Sequence, residues 1–122
     1  MTTISLELAK ELQEVCKEKG KKLWKSEFYW KREYGSINCW TDNIPYNQKG
    51  KVVFIAPAYT LDELLEWLFA KTKYISIRSD ISPKKGWTAW CEKKGWMIYQ
   101  EDTNPANAAC KLLIWLIKNG LI

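Results

Sequence analysis

Asp102-Thr103-Asn104-Pro105-Ala106-Asn107-Ala108-Ala109-Cys110-Lys111-Leu112-Leu113-Ile114-Trp115-Leu116-Ile117-Lys118-Asn119-Gly120-Leu121-Ile122 is the stretch on which the reading of this chain turns. Asn104 is placed to cap a helix, because its side-chain oxygen can accept from an orphan amide of the first turn. Pro105 follows at the first helical position, where a missing N–H costs nothing. Lys118 complements the carbonyl end, and Gly120 stands where the chain must turn left-handed to leave the helix. Between these signals Ala106, Ala109, Cys110, Leu113, Leu116 and Ile117 share one face, which Leu112, Ile114 and Trp115 widen. Only Asn107, Lys111 and Lys118 mark a wet side. A helix this apolar must be packed over most of its surface, so it is expected to be the central beam of the core.

The remaining chain supplies what packs on that beam. Ser5 caps a helix over residues 5–19, with Leu8, Ala9, Leu12, Val15 and Cys16 at spacings of three and four and Gly20 as its stop. Residues 27–34 and 37–41 read as two strands of a hairpin around Gly35-Ser36, and 42–50 as a loop holding Pro45 and Asn47. The continuous apolar run Val52-Val53-Phe54-Ile55 reads as a strand buried on both faces and closed by Pro57. Thr60 and Glu63 form a capping-box pair ahead of a helix carrying Leu61, Leu64, Leu65 and Leu68 on one face, flanked by Trp67 and Phe69 and ending near Lys71. Strands are expected over 74–78, 87–92 and 96–100, the last two joined by a tight turn at Lys93-Lys94-Gly95. The order is α-β-β-β-α-β-β-β-α. Short connections favour an antiparallel meander packed against the C-terminal helix, an α+β architecture in one domain of 122 residues. The stretch 61–119 echoes the α-β-β-β-α order of double-stranded RNA-binding domains. It lacks their Lys-rich start to the second helix, since Asn104-Pro105-Ala106-Asn107-Ala108 stands there.

Eight Trp, six Tyr and three Phe exceed what one small core holds. Some rings are therefore expected at the surface, as a ligand wall or a subunit contact. Nineteen basic against fourteen acidic residues give +5, which is compatible with an anionic partner without requiring one. The four cysteines are isolated and histidine is absent, so the common zinc spacings are missing and neither metal nor cofactor is expected. Cys16 and Cys110, on apolar helix faces, are expected to behave as small hydrophobes. With no signal-peptide pattern and no run long enough to span a bilayer, the expected setting is the reducing cytoplasm, away from membranes.

Catalysis finds little footing. No His can act as a base near neutral pH, and there is neither a Gly-x-Ser-x-Gly elbow nor a Gly-rich phosphate loop. Asp62, Glu63 and Glu66 cluster where helix capping accounts for them. Anion binding finds more. Between Lys17 and Arg32 lie seven cations, interleaved with Trp24, Phe28, Tyr29 and Trp30. Cations neutralise phosphates and flat rings stack on bases, so Lys21, Lys22, Lys25, Tyr29, Lys31 and Arg32 are the candidate ligand-binding residues for a nucleotide or nucleic acid. A second basic set, Lys84, Lys85, Lys93 and Lys94, adjoins Trp87, Trp90 and Trp96. Ordinary strand alternation explains part of the first pattern, since Phe28 and Trp30 point one way and Tyr29 and Lys31 the other. The alternative is a protein-interaction or self-assembly module, anchored by exposed Trp, in which a homodimer would bury the surplus rings.

Four segments carry a family resemblance: Ile4 to Leu12 (Ile-Ser-Leu-Glu-Leu-Ala-Lys-Glu-Leu), Ser26 to Trp30 (Ser-Glu-Phe-Tyr-Trp), Ile55 to Thr60 (Ile-Ala-Pro-Ala-Tyr-Thr) and Leu112 to Ile122. In this order they resemble a family of small bacteriophage and prophage proteins; residues 74–101 match it by position only. The family carries no agreed activity, so the resemblance transfers no catalytic residue. It implies an accessory protein of a phage or mobile element, working in a bacterial cytoplasm by stoichiometric binding. Blocking a host defence protein or sequestering a signalling nucleotide are actions of that kind.

Overall fold

A computed structural model of the chain describes residues 2–33, 36–41, 52–79 and 86–122. The loop expected over 42–50, the Gly35 turn and the cations Lys84 and Lys85 lie outside the described residues. The elements are α1 (Leu6–Glu18), β1 (Phe28–Glu33), β2 (Ser36–Thr41), β3 (Val52–Pro57), α2 (Leu61–Lys71), β4 (Lys73–Ser79), β5 (Trp87–Lys93), β6 (Trp96–Asp102) and α3 (Pro105–Lys118). This is the expected order and the expected α+β class, with the strands divided between two antiparallel sheets, β2-β1-β3 and β4-β5-β6.

α3 is the beam. Ala106, Ala108, Ala109, Cys110, Leu112, Leu113, Ile114, Leu116 and Ile117 are all buried, and the helix packs on α1, α2, β5 and β6. Its first turn is capped by Asn104, whose Oδ1 accepts from the amides of Ala106 at 2.8 Å and Asn107 at 3.3 Å. It ends in a Schellman motif: Leu121 N–H donates to the Leu116 carbonyl and Gly120 N–H to that of Ile117, with Gly120 at φ 66°. α1 ends the same way, through Lys21 to Cys16 and Gly20 to Lys17, with Gly20 also at φ 66°. The capping box of α2 is present in both directions, Glu63 N–H to Thr60 Oγ1 and Thr60 N–H to Glu63 Oε1.

The start of the chain is fastened to this frame. Ile4 N–H donates to the Tyr59 carbonyl and Leu61 N–H to that of Thr2. Ser5 N–H reaches Asn107 Oδ1 at 2.8 Å, and Asn104 Nδ2 donates to the Thr3 carbonyl at 3.1 Å.

One expectation is corrected. β3 is not a strand buried on both faces but an edge of the first sheet. Ile55 packs on the core, whereas Phe54 is 46% exposed and lies over Tyr29 and Lys31. The run is apolar on both faces because Phe54 covers a basic side chain, not because a second layer covers Phe54.

Candidate interaction surface

The basic and aromatic segment disperses when it folds. Lys21, Lys22 and Lys25 are exposed on the connection between α1 and β1. Lys31 is 2% exposed, and its Nζ stands 5.0 Å from the centre of the Phe54 ring. Arg32 is exposed, and as the next strand residue it takes the opposite face of β1. Tyr29 sits edge-on to Phe54, and its hydroxyl accepts from the Ser26 amide. Two other rings of the segment, Trp24 and Trp30, are also engaged inside. Trp30 Nε1 donates to the Ile4 carbonyl, and Trp24 packs against Tyr59 and Trp67 while its carbonyl accepts from the buried Tyr59 hydroxyl. Burial raises the Tyr59 phenol well above its ordinary value, with Tyr29, Cys16, Glu63 and Cys110 adding to the effect. Of the predicted cations Lys31 is therefore buried rather than offered to a ligand, and Trp24 and Trp30 are turned to the core.

Of the second basic set, the described members Lys93 and Lys94 build no anion cradle between them. Lys93 and Lys94 border a groove with Lys71 and Thr72, but Lys93 Nζ donates to the Lys71 carbonyl at 2.6 Å. That carbonyl belongs to the last turn of α2, the negative end of a helix, so the ammonium is already spent on a helix terminus.

A better-formed surface follows from the β5–β6 hairpin. Lys94 and Gly95 have φ of 52° and 82°, the positive pair that a two-residue type I′ turn demands. Such a turn makes Lys93 and Trp96 the first hydrogen-bonded pair, and the register then runs in alternation through Cys91↔Ile98, Ala89↔Gln100 and Trp87↔Asp102. Met97, Tyr99 and Glu101 consequently direct their backbone N–H and C=O groups away from β5. β6 is the last strand of its sheet, so these groups form an open edge. Lys111 Nζ takes the Glu101 carbonyl at 3.2 Å and pairs with the Asp102 carboxylate at 2.8 Å. Among the described residues nothing pairs with the backbone groups of Met97 or Tyr99.

Both flanks of this edge are apolar. On the helix side, Trp96, Ile98 and Gln100 face Trp115, Asn119 and Leu121 across a groove of about 520 Å³. The Schellman turn at Gly120 brings Leu121 back to that groove, and Asn119 Nδ2 is held by the Trp115 carbonyl. On the outer face, Met97 and Tyr99 border a second groove of about 370 Å³ with Arg78, Thr88 and Trp90. The Arg78 guanidinium lies 5.9 Å from the Trp90 ring centre, and Trp90 Nε1 is buried with no acceptor among the described residues. Trp96, Met97 and Tyr99 are 67%, 63% and 63% exposed, three large side chains within four positions of one edge strand. Part of the surplus of rings noted in the sequence thus reaches the surface here, with Phe69 on α2 and Tyr74 on β4 similarly exposed, while Trp24, Trp30, Trp67, Trp87 and Trp115 pack on the core. Sequence reasoning placed Trp96 and Tyr99 on a strand but had no means of telling that this strand ends a sheet.

The cysteines take no part in the surface. Cys16, Cys91 and Cys110 are buried free thiols, and Cys39 is half-buried. Burial pushes each of them above the ordinary thiol value, which suppresses the reactive thiolate. Among the described residues no group of carboxylates and thiols is arranged to hold a metal, and no helix is long and apolar enough to cross a membrane. Compared with protein-family models, curated proteins and solved structures, the chain matches none.

Proposed function

We propose that this protein is a non-enzymatic interaction module that accepts an extended polypeptide strand along the open edge of β6. The observation that carries this reading is the unpaired backbone at Met97 and Tyr99, set between apolar grooves on both faces of the sheet. An added strand would gain main-chain hydrogen bonds from that edge. Its alternate side chains would enter the two grooves in turn, which is how strand addition combines affinity with specificity. Trp96, Tyr99 and Trp115 are the residue types that anchor such contacts. Apolar edges are otherwise blunted by charge, proline or cover, and β6 carries neither charge nor proline between Trp96 and Gln100. An accessory protein of a phage or mobile element, the class this sequence resembles, would act in this way by occupying its partner.

Anionic-ligand binding has less support. Lys21, Lys22, Lys25 and Arg32 remain exposed, but Lys31 and the neighbouring rings are committed to internal contacts.

The test is a selection of random peptides against the wild-type protein, with every recovered peptide re-measured on Tyr99→Pro. The Tyr99 amide faces away from β5, so proline there removes an edge donor and leaves the sheet's own bonds intact. We expect peptides of alternating apolar pattern whose affinity falls about tenfold or more in the variant. Recovery of no peptide by a protein that is monomeric under the selection conditions, or of peptides indifferent to the substitution, overturns the reading.

A further inference from the structure

We infer that the strand seated on the β6 edge is β6 of a second copy of this chain, paired antiparallel about a two-fold axis. The inference rests on the strand-accepting reading above and names its occupant. Its basis is the distribution of charge along β6. The strand begins beside the exposed Lys94 and ends at the exposed Glu101, while Lys93 and Asp102 are already held within the chain by the Lys71 carbonyl and by Lys111. A strand with cations at one end and carboxylates at the other is complementary to itself only when reversed. Antiparallel pairing brings Lys94 of each copy to the Glu101 end of the other. A parallel arrangement would set like charges together.

The register follows from which backbone groups are free. With Ile98 opposite Ile98 of the second copy, Met97 of each copy faces Tyr99 of the other. These are the residues whose N–H and C=O groups point outward, so they exchange hydrogen bonds directly. Trp96 then stands opposite Gln100 on the helix side, next to Trp115 and Leu121 of both copies. Tyr99 and Met97 cover one another on the outer face. Lys94 is exposed in the turn and Glu101 is exposed at the far end, so both are available for the contact. The two sheets join into one running β4-β5-β6 and then β6-β5-β4 of the second copy. Pairing of this kind closes the β6 edge of both copies at once, and a closed two-fold contact does not itself propagate into a filament.

Sedimentation velocity and light scattering across a concentration series test the inference on the full chain. The wild type is expected to be a dimer, with slow amide exchange at Met97 and Tyr99. Tyr99→Pro and Tyr99→Lys are expected to be monomers of unchanged circular dichroism; two unlike substitutions guard against a folding defect in one. Lys94→Glu should weaken the dimer roughly tenfold at low salt, since the symmetry counts the contact twice. Adding Glu101→Lys to Lys94→Glu should restore it, because reversing both ends preserves self-complementarity. A wild-type monomer, a dimer that survives in both Tyr99 variants, or a charge reversal that recovers nothing overturns the inference. A monomer that nonetheless selects Tyr99-dependent peptides overturns the second copy alone, whereas a monomer that selects none overturns the strand-accepting reading as well.

Discussion

The Asp102 carboxylate gathers the junction between β6 and α3. Its Oδ1 accepts from the Asn104 amide at 2.9 Å, with Asn107 Nδ2 and Thr103 Oγ1 at longer range, and its Oδ2 pairs with Lys111. Burial alone would raise this carboxyl. The hydrogen bonds from Lys111 and from the Asn104 amide, the Lys111 charge and the Asn107 amide outweigh it and hold the group below the ordinary carboxylate range. Because the folded value lies below the unfolded one, the stabilisation is complete above the ordinary value of about 3.9 and is lost as pH falls through the lower folded value. Asp102→Asn should therefore lower stability at neutral pH by about 1 kcal/mol and flatten the acid limb of the stability profile, as read from urea midpoints between about pH 5 and 2. An acid limb of unchanged steepness in the variant would contradict this. At the same scale, the sequence disclosed the Glu63 capping box but not its wider use. Glu63 Oε1 also accepts from Ser26 Oγ, and Oε2 from the Glu27 amide, which ties the α1–β1 connection to the start of α2. Contacts spanning so many residues leave no local signature, whereas a box spanning three does.

Among the elements, α3 shows how far local chemistry carries. Its cap, its Pro105 and its Gly120 terminator were all legible, because each satisfies orphan backbone groups within a few residues. What the cap does beyond the helix was not legible: the Asn104 amide nitrogen also donates to the Thr3 carbonyl, binding the start of the chain. Asn104→Ala should cost about 2 kcal/mol, near the upper end for a cap, because it deletes both functions. Asn104→Ser should cost about half as much, since a hydroxyl can cap the first turn but does not replace the amide donor to Thr3. Equal losses for the two variants in urea unfolding would show that the contact with Thr3 contributes nothing. β3 illustrates the opposite case. A short apolar run has the same appearance whether a strand is central or at an edge, and only the pairing of β1 with both β2 and β3 decides.

For the whole molecule, the packing of α3 on both other helices and on β5 and β6 makes its apolar residues the largest shared dependency. Leu113, fully buried within it, should cost about 2–5 kcal/mol on substitution by alanine, measured as a shift in the urea midpoint with little change in slope. A loss below about 1 kcal/mol would mean that the site collapses around the smaller side chain and that α3 is not the tightly packed beam described above. The sequence by itself determined the elements, their order, the helix ends and the β5–β6 turn, because periodicity, caps and positive-φ positions are settled by neighbours a few residues apart. It also announced more rings than a core of this size holds. Only the tertiary structure decided which rings those are and which cations are spent. Lys31 is covered by Phe54, Trp24 and Trp30 are turned inward, and β6 is left at the end of its sheet, where Met97 and Tyr99 have no backbone partner among the described residues. The physical reason is that strand order and side-chain burial depend on contacts between segments distant along the chain, and residue spacing does not encode which segments meet.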